Sequence, residues 1–178
     1  MKKSGKSKIR ITSGLYRGRE ISVPATTHSM GSRERLALFN SISYLLPGAD
    51  VLDCFAGAGS LGTEALSRGA NSVVFVEKNP KAAAVINDNL NSLGITNATI
   101  VKKPTKSYHP RRTFQIIFAD PPYNDFKEAE FAHLPQLLAP NGHLILSHPG
   151  TFTPNFPSLK HLSTKKYAAC HISLFTKE

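Results

Sequence analysis

Cysteine is scarce: Cys54 and Cys170 are the only two in 178 residues. Two thiols so far apart in sequence make neither a disulfide framework nor a four-ligand zinc site, and nothing in the chain asks for an oxidising compartment. Long apolar runs are missing as well. No stretch approaches the roughly 20 residues that cross a bilayer, and the opening Met1-Lys2-Lys3-Ser4-Gly5-Lys6 is not followed by the apolar segment of a signal peptide. The expectation is a water-soluble, cytoplasmic protein with no membrane partner. Acidic residues are few, 12 against 22 Lys and Arg, which leaves a formal charge of +10. Wholesale disorder is excluded, because 40% of the residues are apolar and only 19% charged, enough to fold without metal or disulfide. A mass of 19.4 kDa suits one domain with a real core, expected as a monomer.

The surplus charge is unevenly placed. Residues 1–49 hold nine Lys/Arg (Lys2, Lys3, Lys6, Lys8, Arg10, Arg17, Arg19, Arg33, Arg35) against Glu20 and Glu34, a net +7. Residues 50–130 hold nine of each sign, and the tail from 131 adds the remaining +3. Basic flanks on a neutral middle fit segments that grip a polyanion, nucleic acid above all, while the middle does something else. A local basic group, Lys102, Lys103, Lys106, Arg111 and Arg112 with Tyr108 and His109, reads equally as a phosphate contact or as a polar loop.

Lys8 to Val23 shows short β-branched alternation broken by Gly14 and Gly18 and ended by Pro24, which predicts a small hairpin or arm. Ala25 to Ser32 reads as a loop, and Arg33 to Leu46 carries apolar residues at helical spacing up to the stop at Pro47-Gly48. Strand and helix patterns then alternate. Strands are predicted at Val51–Phe55, Val73–Val76, Ala98–Val101, Phe114–Ala119 and Leu144–Leu146, and helices at Ser60–Arg68, Lys81–Leu93 and Lys127–Leu138, with Gly142 as a turn. Asn79-Pro80 is a strong helix start, a cap residue followed by proline at the first helical position. Two closing segments, Lys160–Tyr167 and Ala169–Phe175, have no helix between them. This pattern predicts an α/β, doubly wound, Rossmann-like fold: a seven-stranded, mostly parallel sheet with an antiparallel C-terminal hairpin. Residues 1–32 are expected to form a basic β arm and residues 33–178 the main domain.

Gly57-Ala58-Gly59-Ser60-Leu61-Gly62 matches G-x-G-x-x-G after a strand and at a helix start, where glycines let a ligand approach the backbone. Glu77 ends the next strand and is placed to accept both hydroxyls of a ribose. Together they predict an adenosine-containing cofactor; the plain structural alternative is tight packing beside a solvated glutamate. Asp53 narrows the choice. A carboxylate at this turn repels a pyrophosphate but favours the sulfonium and ammonium of S-adenosylmethionine, unless Asp53 merely caps its own loop.

In a doubly wound sheet the first and fourth strands lie side by side, and ligands bind beyond their carboxyl ends. That brings Asp120-Pro121-Pro122-Tyr123 next to the glycine turn. The prolines remove two N–H donors and leave acceptors, the Asp120 side chain and the Pro121 carbonyl. Two such acceptors hold the N–H bonds of a nucleobase amine and favour the positive charge that grows there as a methyl group arrives. Tyr123 offers a face for stacking an extruded base.

The pairing of Asp53-x-Phe55-x-Gly57-x-Gly59 with Asp120-Pro121-Pro122-Tyr123 resembles the amino-methyltransferase branch of the class I S-adenosylmethionine-dependent enzymes. More narrowly, three stretches resemble the RsmD family: Arg10-Ile11-x-Ser13-Gly14-x-Tyr16-Arg17-Gly18-Arg19, Leu38-Phe39-Asn40, and the run from Leu52 to Ala70. That resemblance implies methylation of guanine N2 in small-subunit ribosomal RNA, as naked RNA or within a partly assembled subunit. It implies cofactor contacts by Asp53, Phe55, Gly57, Gly59 and Glu77, and catalytic roles for Asp120, Pro121 and Tyr123. It further implies RNA contacts by Arg10, Tyr16, Arg17, Arg19, Arg33 and Arg35. No metal is implied. The chain departs from the family pattern at His28-Ser29-Met30 in place of Arg-Pro-Thr, and at Leu36 in place of glutamate. It departs again at Lys102-Lys103-Pro104, where an acidic or amide residue commonly meets the adenine amine, and at His148, where glutamate is frequent.

Rival readings keep the fold. An adenine-N6 DNA methyltransferase is disfavoured by the lack of a large target-recognition domain, and a protein glutamine methyltransferase by Asp120 where asparagine is expected. A catalytically inactive RNA-binding module of the same fold is a third reading. An NAD-dependent oxidoreductase is opposed by Asp53.

Overall fold

The computed structural model describes residues 7–24, 30–168 and 170–178. Lys2, Lys3, Lys6, most of the loop read at 25–32, including His28 and Ser29, and Ala169 lie outside the described residues.

Strands β1 (Ser7–Arg10) and β2 (Glu20–Val23) pair antiparallel as a small separate sheet, so the basic arm is a hairpin. Helix α1 (Ser32–Ser41) follows and runs into a 3₁₀ turn at Ser43–Leu45. Six segments then complete the body in chain order: β3 (Asp50–Cys54), α2 (Ser60–Ser67), β4 (Ser72–Val76), α3 (Pro80–Leu93), β5 (Ala98–Val101) and β6 (Phe114–Ala119). The last strands are β7 (Leu138–His148), β8 (Lys160–Lys166) and β9 (His171–Thr176). In space the order is β5-β4-β3-β6-β7-β9-β8, parallel from β5 through β7 and antiparallel at β9 and β8. The predicted sheet and its winding reversal between β3 and β6 are both present.

Continuous apolar runs in β3, β4 and β6 follow from burial on both sheet faces. Ile11, Phe39, Leu61, Phe75, Ile86 and Phe118 share one core cluster. Leu52, Val74, Phe114, Phe131, Leu146 and Phe156 share the other. Asn79 caps α3 as the sequence predicts, its Oδ1 accepting from the Lys81 amide at 2.9 Å, and Gly94 closes it with a left-handed φ of 71°.

Two expectations are corrected. Residues 127–138 do not form an α-helix but short 3₁₀ turns at Glu128–Glu130 and Leu134–Leu137. Pro135 has no amide for an α ladder, and Phe131, fully buried, packs against Phe126, Phe152 and Phe156 in an aromatic cluster. The fifth body strand is not Leu144–Leu146 alone but β7, with a register break between its pairing at Phe114 and at Ile116. Gly142 lies inside β7 rather than in a turn; a Cβ there would stand 2.8 Å from the Ala139 carbonyl oxygen, so the irregular stretch needs its small size.

Candidate active site

Strand register sets the site. Cys54 is level with Val76 on one side and with Ala119 on the other. Phe55, Glu77 and Asp120, the next residue of each strand, therefore leave the same sheet edge together. A crevice opens there, lined among others by Phe55, Gly57, Glu77, Thr105, Asp120 and Pro121. The two motifs share one crevice, at the reversal of winding where doubly wound sheets bind ligands.

The turn after β3 is built from unusual backbone. Phe55, Gly57 and Gly59 all have positive φ, 58°, 58° and 79°. For Phe55, a residue with a Cβ, that conformation costs about 1 kcal/mol or more, a strain concentrated in the wall of the crevice. Only Gly57 of the three glycines lines the crevice. The other two lie against Phe75 of β4. A Cβ on Gly59 would meet the Phe75 ring at 3.2 Å, and one on Gly62 would meet it at 2.3 Å, so these positions let α2 press onto β4.

Glu77 is buried, its Oε2 accepting from the Gly57 amide and its Oε1 from the Asn79 amide, both at 2.7 Å. These bonds fix the carboxylate across the mouth of β4, and each oxygen keeps a second lone pair for an incoming hydroxyl. Asp53 is 2% exposed and does not line the crevice. Its Oδ2 accepts from the Gly62 amide at 2.9 Å, so it does cap its own loop. Burial pushes its carboxyl well above the usual range, and the neighbouring charges of Asp120 and Glu77 push the same way. Glu77 and Asp120 thus line this end of the crevice, and Asp53 lies buried within reach of their charges. Such a donor set disfavours a pyrophosphate and is compatible with a ligand carrying a sulfonium and an ammonium. S-adenosylmethionine fits the residues present.

Tyr123 begins a 3₁₀ turn, Tyr123–Asp125, and is half-buried. Its hydroxyl is tied to the Ser147 hydroxyl of β7, and the Cys170 thiol shares hydrogen bonds with both. Burial raises the Tyr123 hydroxyl far above its ordinary value, so it stays a neutral anchor. Cys170 lies before β9, not within a strand as the sequence suggests.

Sequence reasoning missed Thr105, which is buried and lines the crevice beyond β5. Its neighbourhood, Lys102-Lys103-Pro104, marked a departure from the family pattern, and a hydroxyl one residue further on left no motif to find. Lys78, Lys127 and Glu130 also line the crevice and were not singled out. His148 is not in the crevice lining; it is 1% exposed, with Nε2 2.9 Å from the Ser173 hydroxyl.

Among the arm residues, Arg17 and Arg33 are exposed. Arg10 lies 3.6 Å from Glu20, and Arg19 donates to the Ser92 carbonyl at 2.8 Å. The Tyr16 amide donates to the Ser67 hydroxyl and its side chain packs on the core. Arg35 is 1% exposed, its Nη2 donating to the Arg10 carbonyl at 3.2 Å. In the basic group at 102–112, Arg112 pairs with Asp50 at 3.0 Å and Lys106 with Glu130 at 2.9 Å.

The chain matches the family model described as conserved hypothetical protein 95 over residues 9–176. It is 36% identical over 124 residues to ribosomal RNA small subunit methyltransferase D of Escherichia coli K12, covering 67% of this chain and 63% of that protein. The chain therefore spans somewhat less than two thirds of that relative's length. It is 34% identical over 141 residues to the protein of the same name from Haemophilus influenzae, covering 72% of this chain and 70% of that one. The solved structure of "Putative methyltransferase yhhF" from Escherichia coli superposes with a TM-score of 0.88 at 29% identity, over 97% of this chain and 99% of that one. With the matched model spanning nearly all of its length, the chain belongs to the conserved hypothetical protein 95 family, the RsmD family.

Proposed function

We propose that this chain is a cytoplasmic S-adenosylmethionine-dependent methyltransferase acting on the exocyclic N2 amine of a guanine in small-subunit ribosomal RNA. The observation that carries the reading is the register of β3, β4 and β6, which sets Phe55, Glu77 and Asp120 side by side at one crevice. The family relatives named as small-subunit ribosomal RNA methyltransferases support the substrate.

Bound S-adenosylmethionine supplies an electrophilic methyl group. The chain's own residues bind and orient. Glu77, already held by two amides, accepts the ribose hydroxyls, and Gly57 lets the backbone come close. The Asp120 carboxylate and the Pro121 carbonyl accept the two N–H bonds of the guanine amine, which aims its lone pair along the crevice and favours the positive charge growing on nitrogen. The proton lost after transfer passes to Asp120 or to solvent. Tyr123, anchored through its hydroxyl, flanks the extruded base.

The test is transfer of tritiated methyl from S-adenosylmethionine to small-subunit RNA. The wild type labels that RNA, and Asp120→Ala lowers kcat on the order of 100-fold or more. Absence of label in the RNA, or equal labelling by Asp120→Ala, overturns the reading.

A further inference from the structure

The tail from residue 131 holds four lysines, Lys160, Lys165, Lys166 and Lys177, and a single acidic residue, Glu178. The lysines are not alike. Lys160 Nζ stands 2.9 Å from Glu178 Oε1, and Lys177 Nζ donates to the Leu138 carbonyl at 2.9 Å. Lys165 and Lys166 are exposed, and their ammonium groups have no ion pair or hydrogen bond among the described residues.

The difference follows the sheet. Lys160 is level with Thr176 of β9 and so with His143, early in β7, whereas Lys165 is level with Ile172 and Ser147, and Lys166 with His171 and His148, where β7 ends. Ala119 is level with Leu146, so Asp120 leaves β6 beside Ser147, the residue whose hydroxyl anchors Tyr123. Asp120, Ser147, Ile172 and Lys165 thus form one row across the crevice end of the sheet. Neighbouring strands lie about 4.8 Å apart, which sets the backbone of Lys165 roughly 14 Å from that of Asp120. Successive strand residues point to opposite faces, so the two lysines straddle the end of β8.

Tyr167 comes next. Its amide donates to the Cys170 carbonyl at 2.8 Å, and its ring is partly buried against the core cluster on which Tyr123 also packs. Glu34 is the carboxylate whose charge reaches it. Two unpaired cations beside a partly exposed ring suit a polyanion with flat bases. Strand β8 is exposed along its length at the edge of the sheet, and lysines there also discourage pairing with another chain. A second copy would bring like charges together, but that role does not require the unpaired lysines to be the pair at the crevice end.

We propose that Lys165, Lys166 and Tyr167 form an exit surface for the substrate strand. The ammonium groups take phosphates of nucleotides beside the one seated at Asp120, and the Tyr167 ring stacks on a neighbouring base. The proposal rests on the RNA reading of the crevice and extends it to the C-terminal hairpin.

The experiment measures binding of a labelled small-subunit RNA fragment by anisotropy across a salt series, together with methyl transfer to the same RNA. The proteins are the wild type, Lys165→Gln combined with Lys166→Gln, Lys160→Gln, Tyr167→Phe and Tyr167→Ala, each checked for fold by S-adenosylhomocysteine calorimetry. For the double variant, binding is expected to weaken roughly tenfold and the salt slope to fall by about 2, with KM raised and kcat unchanged. Lys160→Gln removes a charge from the same strand at its far end and is expected to bind as the wild type does, because salt screens exposed charges beyond about 8–10 Å. Tyr167→Ala is expected to bind roughly tenfold more weakly, and Tyr167→Phe to keep the affinity. A folded double variant or a folded Tyr167→Ala with wild-type RNA affinity overturns the proposal. So does a loss in Lys160→Gln as large per charge removed, which would reduce the effect to net charge. A double variant that self-associates in light scattering yet binds RNA normally would make the lysines edge guards alone and overturn it equally. If Tyr167→Ala fails to fold, the lysine variants decide. A wild type that binds RNA through Lys165 and Lys166 yet transfers no methyl group to it refutes the proposed function and leaves the surface standing.

Discussion

Asp53 is a buried carboxyl whose charged form the fold disfavours. It is buried with one amide bond for its carboxylate, and both burial and its acidic neighbours favour the protonated form. A carboxyl whose folded value is raised contributes stability at acid pH, and that contribution is lost as pH rises from the ordinary carboxylate value through the folded one. Asp53→Asn keeps an acceptor for the Gly62 amide and removes the charge. Its melting temperature is expected to exceed that of the wild type by roughly 2–4 °C at neutral pH, about 1 kcal/mol, with the gap closing toward pH 4. The same change is expected to weaken S-adenosylmethionine binding, because a cationic ligand favours the ionised carboxyl. Calorimetry and thermal melts over pH 4–8 measure both effects. A variant less stable than the wild type at neutral pH, or one with undiminished cofactor affinity, contradicts this account of Asp53.

The elements show which parts of the sequence spoke clearly. Strands β3, β4 and β6 were legible because burial on both faces writes continuous apolar runs, and α3 because its cap, proline and closing glycine act locally. The segment 127–138 was not. Its apolar spacing suits a helix, but the partners of Phe131 lie at Phe152 and Phe156, far along the chain, and contacts of that range leave no local pattern. The site divides in the same way. Gly57 was readable from the glycine turn and Glu77 and Asp120 as strand-end residues, whereas the anchoring of Tyr123 depends on Ser147 of β7 and on Cys170 just before β9, and the burial of Arg35 depends on the arm. Gly14 shows how the arm is seated. Its φ is 82°, and a Cβ would stand 1.7 Å from the Ser67 carbonyl oxygen on α2. Gly14→Ala is therefore expected to cost roughly 2–3 kcal/mol and to lift the arm, with trypsin cutting after Arg17 or Arg19 sooner than in the wild type. Unchanged stability and cleavage would show that the arm does not rely on that close approach.

For the whole molecule, three buried imidazoles set the expected response to falling pH. Burial holds His133, His143 and His148 below the ordinary imidazole value. Imidazoles kept neutral in this way contribute stability above about pH 6.5, and the contribution is lost as pH falls from there toward their folded values. Among these three, His148 is bonded to Ser173 inside the β7–β9 pair. The melting temperature is expected to hold between pH 7 and 8 and to decline from pH 6.5 to 5, and His148→Gln to flatten part of that decline. A midpoint that rises through this range would contradict the assignment of neutral, buried imidazoles.

At the same scale, the arm and the crevice are predicted to serve one substrate, the basic face holding RNA while the edge of β3 and β6 presents donor to acceptor. The most direct test is digestion of small-subunit RNA after reaction with S-adenosylmethionine and quantification of its methylated nucleosides. The account predicts N2-methylguanosine as the new product with the wild type and its near disappearance with Asp120→Ala. Methyl found on adenine N6 or on protein instead, or an equal yield of N2-methylguanosine from Asp120→Ala, would contradict it.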